Sequence, residues 1–95
     1  MRIGNDCLFG WNVAVRDSDG HTVLHDGKET PSLDEVLIGS HVWIGAHSDV
    51  LKGSVIPDGC IVAYRALVTN KFKTTRCTLA GLPARIVREK IDWKH

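Results

Sequence analysis

Apolar residues recur along this chain with a period of six. Stepping by six from Ile38 gives Ile44, Val50, Ile56, Val62 and Val68, all branched aliphatics, and stepping from Ile3 gives Phe9 and Val15. A column of smaller residues runs four positions behind: Val42, Ser48, Ser54, Cys60 and Ala66, with Cys7 and Val13 in the first block. A helix wants apolar residues three and four apart, and a lone amphipathic strand wants every second position. A period of six suits short strands joined by tight corners, because the even spacing keeps both columns on the inward side. Gly4, Gly10, Gly39 and Gly45 each follow the aliphatic residue directly. There they are predicted to supply backbone angles closed to residues with a Cβ. Stacked coils of this kind bury columns of aliphatics against one another, as solenoids do.

The beat breaks once. Three hexads should separate equivalent rungs, yet Ile3 finds its next equivalent at Ile38, an excess of about 17 residues. The inserted stretch, about residues 16–35, is polar and carries Asp17, Ser18, Asp19, Gly20, His21 and His25, with Pro31 restarting the chain. A long loop on a rigid stack is either functional or simply solvated.

Composition narrows the class. With 95 residues, 43% hydrophobic, 24% charged and a net charge of +1, the chain reads as one globular domain spanning residues 1–95. It has the composition of neither a disordered tail nor a dedicated nucleic-acid binder. No apolar run reaches the roughly 20 residues of a membrane-spanning helix, so no membrane span and a cytoplasmic location are expected. Only 6% of residues are aromatic, which leaves little to fill a compact core. At this size a repetitive stack or partner subunits are needed. Cys7, Cys60 and Cys77 lack CxxC spacing, so they read as small buried thiols rather than disulfides or zinc ligands. His41 and His47 fall one hexad apart and should point from different faces, while His21 and His25 share a loop with no third ligand. No metal site is expected.

Two segments carry a family resemblance. Ile38-Gly39-Ser40-His41-Val42-Trp43-Ile44-Gly45-Ala46 resembles the most recognisable rung of the hexapeptide-repeat acyltransferases, and Ala80-Gly81-Leu82-Pro83-Ala84-Arg85-Ile86-Val87 resembles their closing segment. The resemblance covers nearly the whole chain. It implies an all-β fold: a left-handed parallel β-helix of about three coils, with one long inserted loop and a short C-terminal α-helix over about residues 83–92. The chain begins as though partway into such a stack, and the open strand edge of the first coil then needs a cover. Asp17-Ser18-Asp19-Gly20-His21 looks most like sugar and polysaccharide O-acetyltransferases. The implied activity is direct acetyl transfer from acetyl-CoA to a sugar or polysaccharide hydroxyl, without a metal. N-acetylation of an amino sugar or xenobiotic, and a catalytically silent β-helix serving as an assembly or binding module, are the alternatives.

In similar enzymes the catalytic histidine lies at the root of such a loop, which points to His21 as general base. An imidazole can take the proton of an acceptor hydroxyl at neutral pH. A carboxylate, from Asp19 or Asp17, would orient the ring, and a backbone amide at a corner glycine would stabilise the tetrahedral oxyanion. Trp43 looks like the tryptophan bordering the transfer site, and Trp11 either lines an acceptor sugar or packs between subunits. By resemblance the cofactor positions fall on Ala46, Tyr64, Thr69, Arg85 and Arg88, with Lys71 and Lys73 nearby. Tyr64 and Arg65 replace the small residues usual at that corner, and they either narrow the groove or turn outward. A homotrimer with active sites between subunits is implied.

Overall fold

The computed structural model describes residues 1–95 as thirteen short strands without a helix. β1 (Arg2–Ile3), β2 (Leu8–Phe9) and β3 (Ala14–Val15) lead into a hairpin of β4 (Leu24–His25) and β5 (Lys28–Glu29). Then come β6 (Leu37–Ile38), β7 (Trp43–Ile44), β8 (Asp49–Val50), β9 (Val55–Ile56), β10 (Ile61–Val62) and β11 (Leu67–Val68), and finally β12 (Thr78–Gly81) and β13 (Ala84–Arg88). Each strand of the coil occupies one hexad and pairs in parallel with its equivalent on the next turn, so the sheet orders are β1-β6-β9, β2-β7-β10-β12 and β3-β8-β11. Register puts apolar over apolar: Ile3 on Ile38 on Ile56, and Phe9 on Ile44 on Val62 on Leu79. The result is a prism of 46 × 21 × 20 Å.

The core is the two columns read from the sequence. Ile38, Ile44, Val50, Ile56, Val62 and Val68 are buried, as are Val42, Ser48, Ser54, Cys60 and Ala66. The two buried serines stay satisfied because their hydroxyls donate to main-chain carbonyls, Ser48 Oγ to Ala63 O at 2.8 Å and Ser54 Oγ to Val68 O at 2.9 Å. Cys60 and Cys77 stack in the same interior with their sulfurs 3.5 Å apart as free thiols. Burial pushes the Cys77 thiol up to about 12, so it is inert as a nucleophile. At the end of the stack, Ile3 and Phe9 remain 45% and 37% exposed, because a neighbouring coil covers only one side of them.

The glycines do a different job from the one predicted. Left-handed backbone angles fall two residues later, at Asp6, Asn12, His41, His47, Gly53, Gly59 and Arg65, which mark the corners at hexad spacing. Gly10 and Gly45 are required instead by close approach of successive coils. A Cβ on Gly10 would lie 2.6 Å from Ala46 N, and one on Gly45 would lie 2.8 Å from Val62 O. These obstacles are backbone and cannot swing aside. Gly45→Ala is therefore expected to destabilise the fold by about 1–3 kcal/mol, the usual cost of overpacking. Urea unfolding monitored by circular dichroism reads it.

The helix expected over about residues 83–92 is absent. β13 runs there, antiparallel to β12. Ile86 and Val87 are β-branched and favour the pleated state. The free edge of β12 also offers amide partners that a helix could not use. Gly81, at φ +107°, makes the turn. Residues 89–95 then fold back without regular structure, held by the Ile91 amide donating to Arg76 O at 3.0 Å.

The insertion is visible in the register. Equivalent residues of the first two turns are 35 positions apart, against 18 for the next pair. Its root is zipped by the Ser18–Leu33 bridge and by the Asp34 amide donating to Asp17 O. Its tip is the β4–β5 hairpin, turned by Asp26-Gly27 with φ of 50° and 76°, the pair of positive values a two-residue hairpin favours. No helix of the chain is long and apolar enough to cross a membrane.

Candidate functional site

Sheet pairing decides which side chains share an outer face. Residues paired across a sheet point the same way, and the pairs run Leu8 with Trp43, Trp43 with Ile61, Ile61 with Thr78, and Thr78 with Arg88. Phe9, Ile44, Val62 and Leu79 form the inward row beside it. Over the outer row opens an apolar cavity of about 480 Å³, lined by Trp11, Trp43, Ala46, Ile61, Ala63 and Tyr64 among others. Four residues singled out from the sequence, Trp11, Trp43, Ala46 and Tyr64, thus meet in one groove. Trp11 is 83% exposed and Tyr64 59%, so both rings stand outward rather than filling the coil. Tyr64 is braced edge-on by His47, with ring centroids 5.4 Å apart, and by the Arg65 guanidinium 5.5 Å from its own centroid.

Arg85 and Arg88 are exposed on β13. Three positions apart on a regular strand, they would face opposite ways. The pairing slips between Thr78 and Leu79: Arg88 pairs with Thr78, Ile86 with Leu79 and Arg85 with Ala80. Val87 is the extra residue of a bulge, and it returns Arg88 to the side of Arg85. Both arginines therefore share the outer face that carries Trp43, three strand spacings or about 14 Å from it. Thr69 is exposed beyond β11 on a different sheet and lines no cavity. Lys71 is committed elsewhere, its Nζ donating to Gly53 O at 2.8 Å and lying 3.7 Å from Asp34.

His21 lies exposed on the inserted loop and makes no hydrogen bond within the chain. Asp19 does not orient it. Its carboxylate instead sits 2.6 Å from Lys52 Nζ, which also donates to Pro31 O, so the pair ties the loop to the second turn of the coil. Asp17 is half-buried at the loop root. The amides of Gly4, Gly10, Gly39 and Gly45, the glycines read as corners from the sequence, are equally unavailable for an oxyanion, because all four donate to carbonyls of the next coil at 2.7–2.8 Å. The donors left uncommitted around the groove are the backbone amides of Trp11, Ala46 and Tyr64, the indole N–H groups of Trp11 and Trp43 and the Tyr64 hydroxyl.

One constellation escaped the sequence reading. His41 Nδ1 is 2.7 Å from Asp6 Oδ2 and its Nε2 is 2.8 Å from Trp93 O. Trp93 stacks on the imidazole at 4.0 Å and 9°, and its Nε1–H donates to His41 O at 2.9 Å. His95 closes on the other oxygen of Asp6 at 2.8 Å. These residues lie 35 to 89 positions apart, and nothing local signals their meeting. With an acceptor at each ring nitrogen, the fully bonded form of His41 is the cation. The Trp93 carbonyl and then the Asp6 carboxylate raise its pKa, while the bond from His41 chiefly lowers that of Asp6. The stability from His41 is full below the ordinary imidazole value of about 6.5 and is lost as pH rises through the raised one. That from Asp6 is full above the ordinary carboxylate value near 4 and is lost as pH falls through the lowered one. The clasp should therefore hold Trp93 best between about pH 4 and 6.5. Above that window Trp93 fluorescence is expected to shift toward that of a solvated indole. In His41→Gln this alkaline transition should vanish.

No family model matches the chain. A polysialic acid O-acetyltransferase of Escherichia coli O1:K1 / APEC is 34% identical over 95 residues, covering 98% of this chain and 31% of that protein. Among solved structures, the polysialic acid O-acetyltransferase OatWY superposes with a TM-score of 0.92 at 35% identity, covering 98% of this chain and 45% of that one. A galactoside acetyltransferase in complex with coenzyme A gives 0.78 at 27% identity, covering 92% of this chain and 44% of that one. The chain thus spans between three- and five-tenths of the length of these relatives. In sequence and in fold together, the chain is similar to sugar and polysaccharide O-acetyltransferases, and its fold is that of a hexapeptide-repeat acetyltransferase.

Proposed function

We propose that this chain transfers the acetyl group of acetyl-CoA directly to a hydroxyl of a sugar or polysaccharide, from a site shared between the subunits of a homotrimer of left-handed β-helices. The observation that carries the reading is the single sheet face on which an aromatic groove and two bulge-aligned arginines lie in line. An elongated cofactor with an apolar arm and a phosphorylated end fits such a face. The arm lies along Ala46 and Tyr64, and the phosphates lie at Arg85 and Arg88, whose planar forks suit them. The named relatives act on polysialic acid or are crystallised with coenzyme A, which is the same chemistry.

His21 lines neither cavity of its own chain. A base held out on a loop serves a groove on an adjacent copy. The loop also exposes Val23, Leu24 and Leu33, apolar surface of the kind a partner covers. In the reaction, the acceptor oxygen attacks the thioester carbonyl as its proton passes to the His21 imidazole. The tetrahedral oxyanion collapses, the carbon–sulfur bond breaks, and the CoA thiolate takes the proton back. Trp11 and Trp43 offer flat faces to a sugar ring and N–H groups to oxygen. Asp19 acts on the loop root through Lys52, and it would have to leave that ion pair to reach His21.

The test is a transfer assay with acetyl-CoA against a panel of neutral, amino and sialylated sugars, alongside solution mass. Product on a sugar hydroxyl and a trimeric mass are expected. Acetylation confined to amines would favour the N-transfer alternative, and absence of acetyl-CoA binding would leave the silent-module alternative in its place.

A further inference from the structure

Three ligand-type side chains that line no part of the groove meet at one corner of the coil, beside Trp93, whose ring lies 5.9 Å from that of Trp43. Asp6 and His41 occupy equivalent corners of successive turns, both with left-handed φ, so stacking superposes them. His95 arrives from the segment beyond β13. One carboxylate oxygen of Asp6 faces His41 Nδ1 and the other faces His95 Nε2, and one ligand atom from each residue lies within 4.8 Å of the others.

A second observation bears on ligation independently of the cluster. His41 presents its remaining nitrogen to the Trp93 carbonyl at 2.8 Å, and the stacked Trp93 ring prevents rotation. A carbonyl in this place holds the ring as its Nε2–H tautomer and aims the Nδ1 lone pair into the cluster, as around most metal-bound histidines. Two imidazoles and one carboxylate suit a borderline ion, whereas calcium and magnesium want six or more oxygens or retained waters.

We propose that Asp6, His41 and His95 bind a divalent transition-metal ion of the zinc class, with water completing the shell. The ion would staple the first two turns of the coil to the segment that carries Trp93. This site is structural and separate from acetyl transfer. Bond lengths near 2.0–2.1 Å require the three ligand atoms to settle at about 3.3 Å from one another, so the two contacts of Asp6 must open slightly. Asp6 and His95, both largely exposed, can supply that by side-chain rotation. Binding displaces the proton that His41 Nδ1 shares with Asp6, so affinity rises with pH.

Calorimetric titration of the full, untagged chain with Zn²⁺ at pH 7.5 tests the proposal, with Co²⁺ absorption as a second readout. One ion per chain is expected, with a visible Co²⁺ band of tetrahedral character. His95→Ala and Asp6→Asn should each weaken Zn²⁺ at least tenfold, while His25→Ala should change nothing. His95→Ala is the deciding variant, because His41 keeps its bonds to Asp6 and to the Trp93 carbonyl without it. The His95 ring also packs on Trp93 with centroids 4.8 Å apart, so Asp6→Asn is measured beside it. No Zn²⁺ binding up to about 1 mM, or equal affinity in His95→Ala and the parent chain, overturns the site.

Discussion

A His21→Ala variant is expected to lose between a hundredfold and ten-thousandfold in acetyl transfer while unfolding at the same denaturant concentration as the parent chain. The rate effect is the usual worth of a positioned general base. The lack of a stability effect follows from the site, since the ring is exposed and bonded to nothing in its own chain. Surface changes of that kind stay within about 0.5 kcal/mol. Acetyl-CoA binding should persist, because His21 is assigned to the acceptor proton and not to the cofactor. Steady-state transfer and equilibrium binding, measured on the same preparation, separate the two. A variant as fast as the parent would remove His21 from the mechanism whatever the acceptor. Asp19→Asn provides a useful contrast. Its carboxylate sits on Lys52, so its effect should come through the loop root and be smaller than that of His21→Ala.

Removing either bulge-aligned arginine should weaken acetyl-CoA. Hydrogen bonds to charged groups contribute about 1.5–3 kcal/mol, so Arg85→Ala or Arg88→Ala is expected to raise the Kd of acetyl-CoA roughly 10- to 100-fold. The phosphates are remote from the reacting carbon, so kcat at saturating cofactor should fall much less. Deleting Val87 tests the geometry more sharply. Without Val87, Arg85 and Arg88 would stand two positions apart on a plainly alternating strand and would keep the same face that the bulge now gives them. That variant keeps both charges on one face and should bind acetyl-CoA far more tightly than either alanine variant. Doubling Val87 should instead turn Arg88 away from Arg85 and weaken binding as the alanine variants do. Binding unchanged in Arg85→Ala and Arg88→Ala alike would move the phosphates elsewhere on the surface.

The extent to which these features were legible depends on how far along the chain their causes lie. Ile38, Ile44 and Val50 announce a coil because each strand repeats the same parity of inward and outward positions. Register then carries that parity from turn to turn. Trp43 and Tyr64 were placed on the outside by the same rule. The segment from Ala84 to Arg88 misled because family resemblance proposed a helix where β-branched residues and the unpaired edge of β12 favoured a strand. Gly10 and Gly45 misled in a subtler way. From sequence, a glycine beside a corner reads as a special backbone angle, whereas their reason is the atoms of the next coil, tens of residues away.

By itself, then, the sequence determined the period, the inward columns and the interruption that carries His21, since each follows from alternation along a strand and from the burial of branched side chains. The tertiary structure alone decided which outward residues become neighbours. It set Arg88 beside Arg85 through a single extra residue in β13, committed Asp19 to Lys52, and gathered Asp6, His41, Trp93 and His95 at one corner. Those meetings depend on register between turns and on how residues 89–95 fold back across the stack. Both are settled by the closure of backbone hydrogen bonds between distant segments, a quantity that no local pattern of residues encodes.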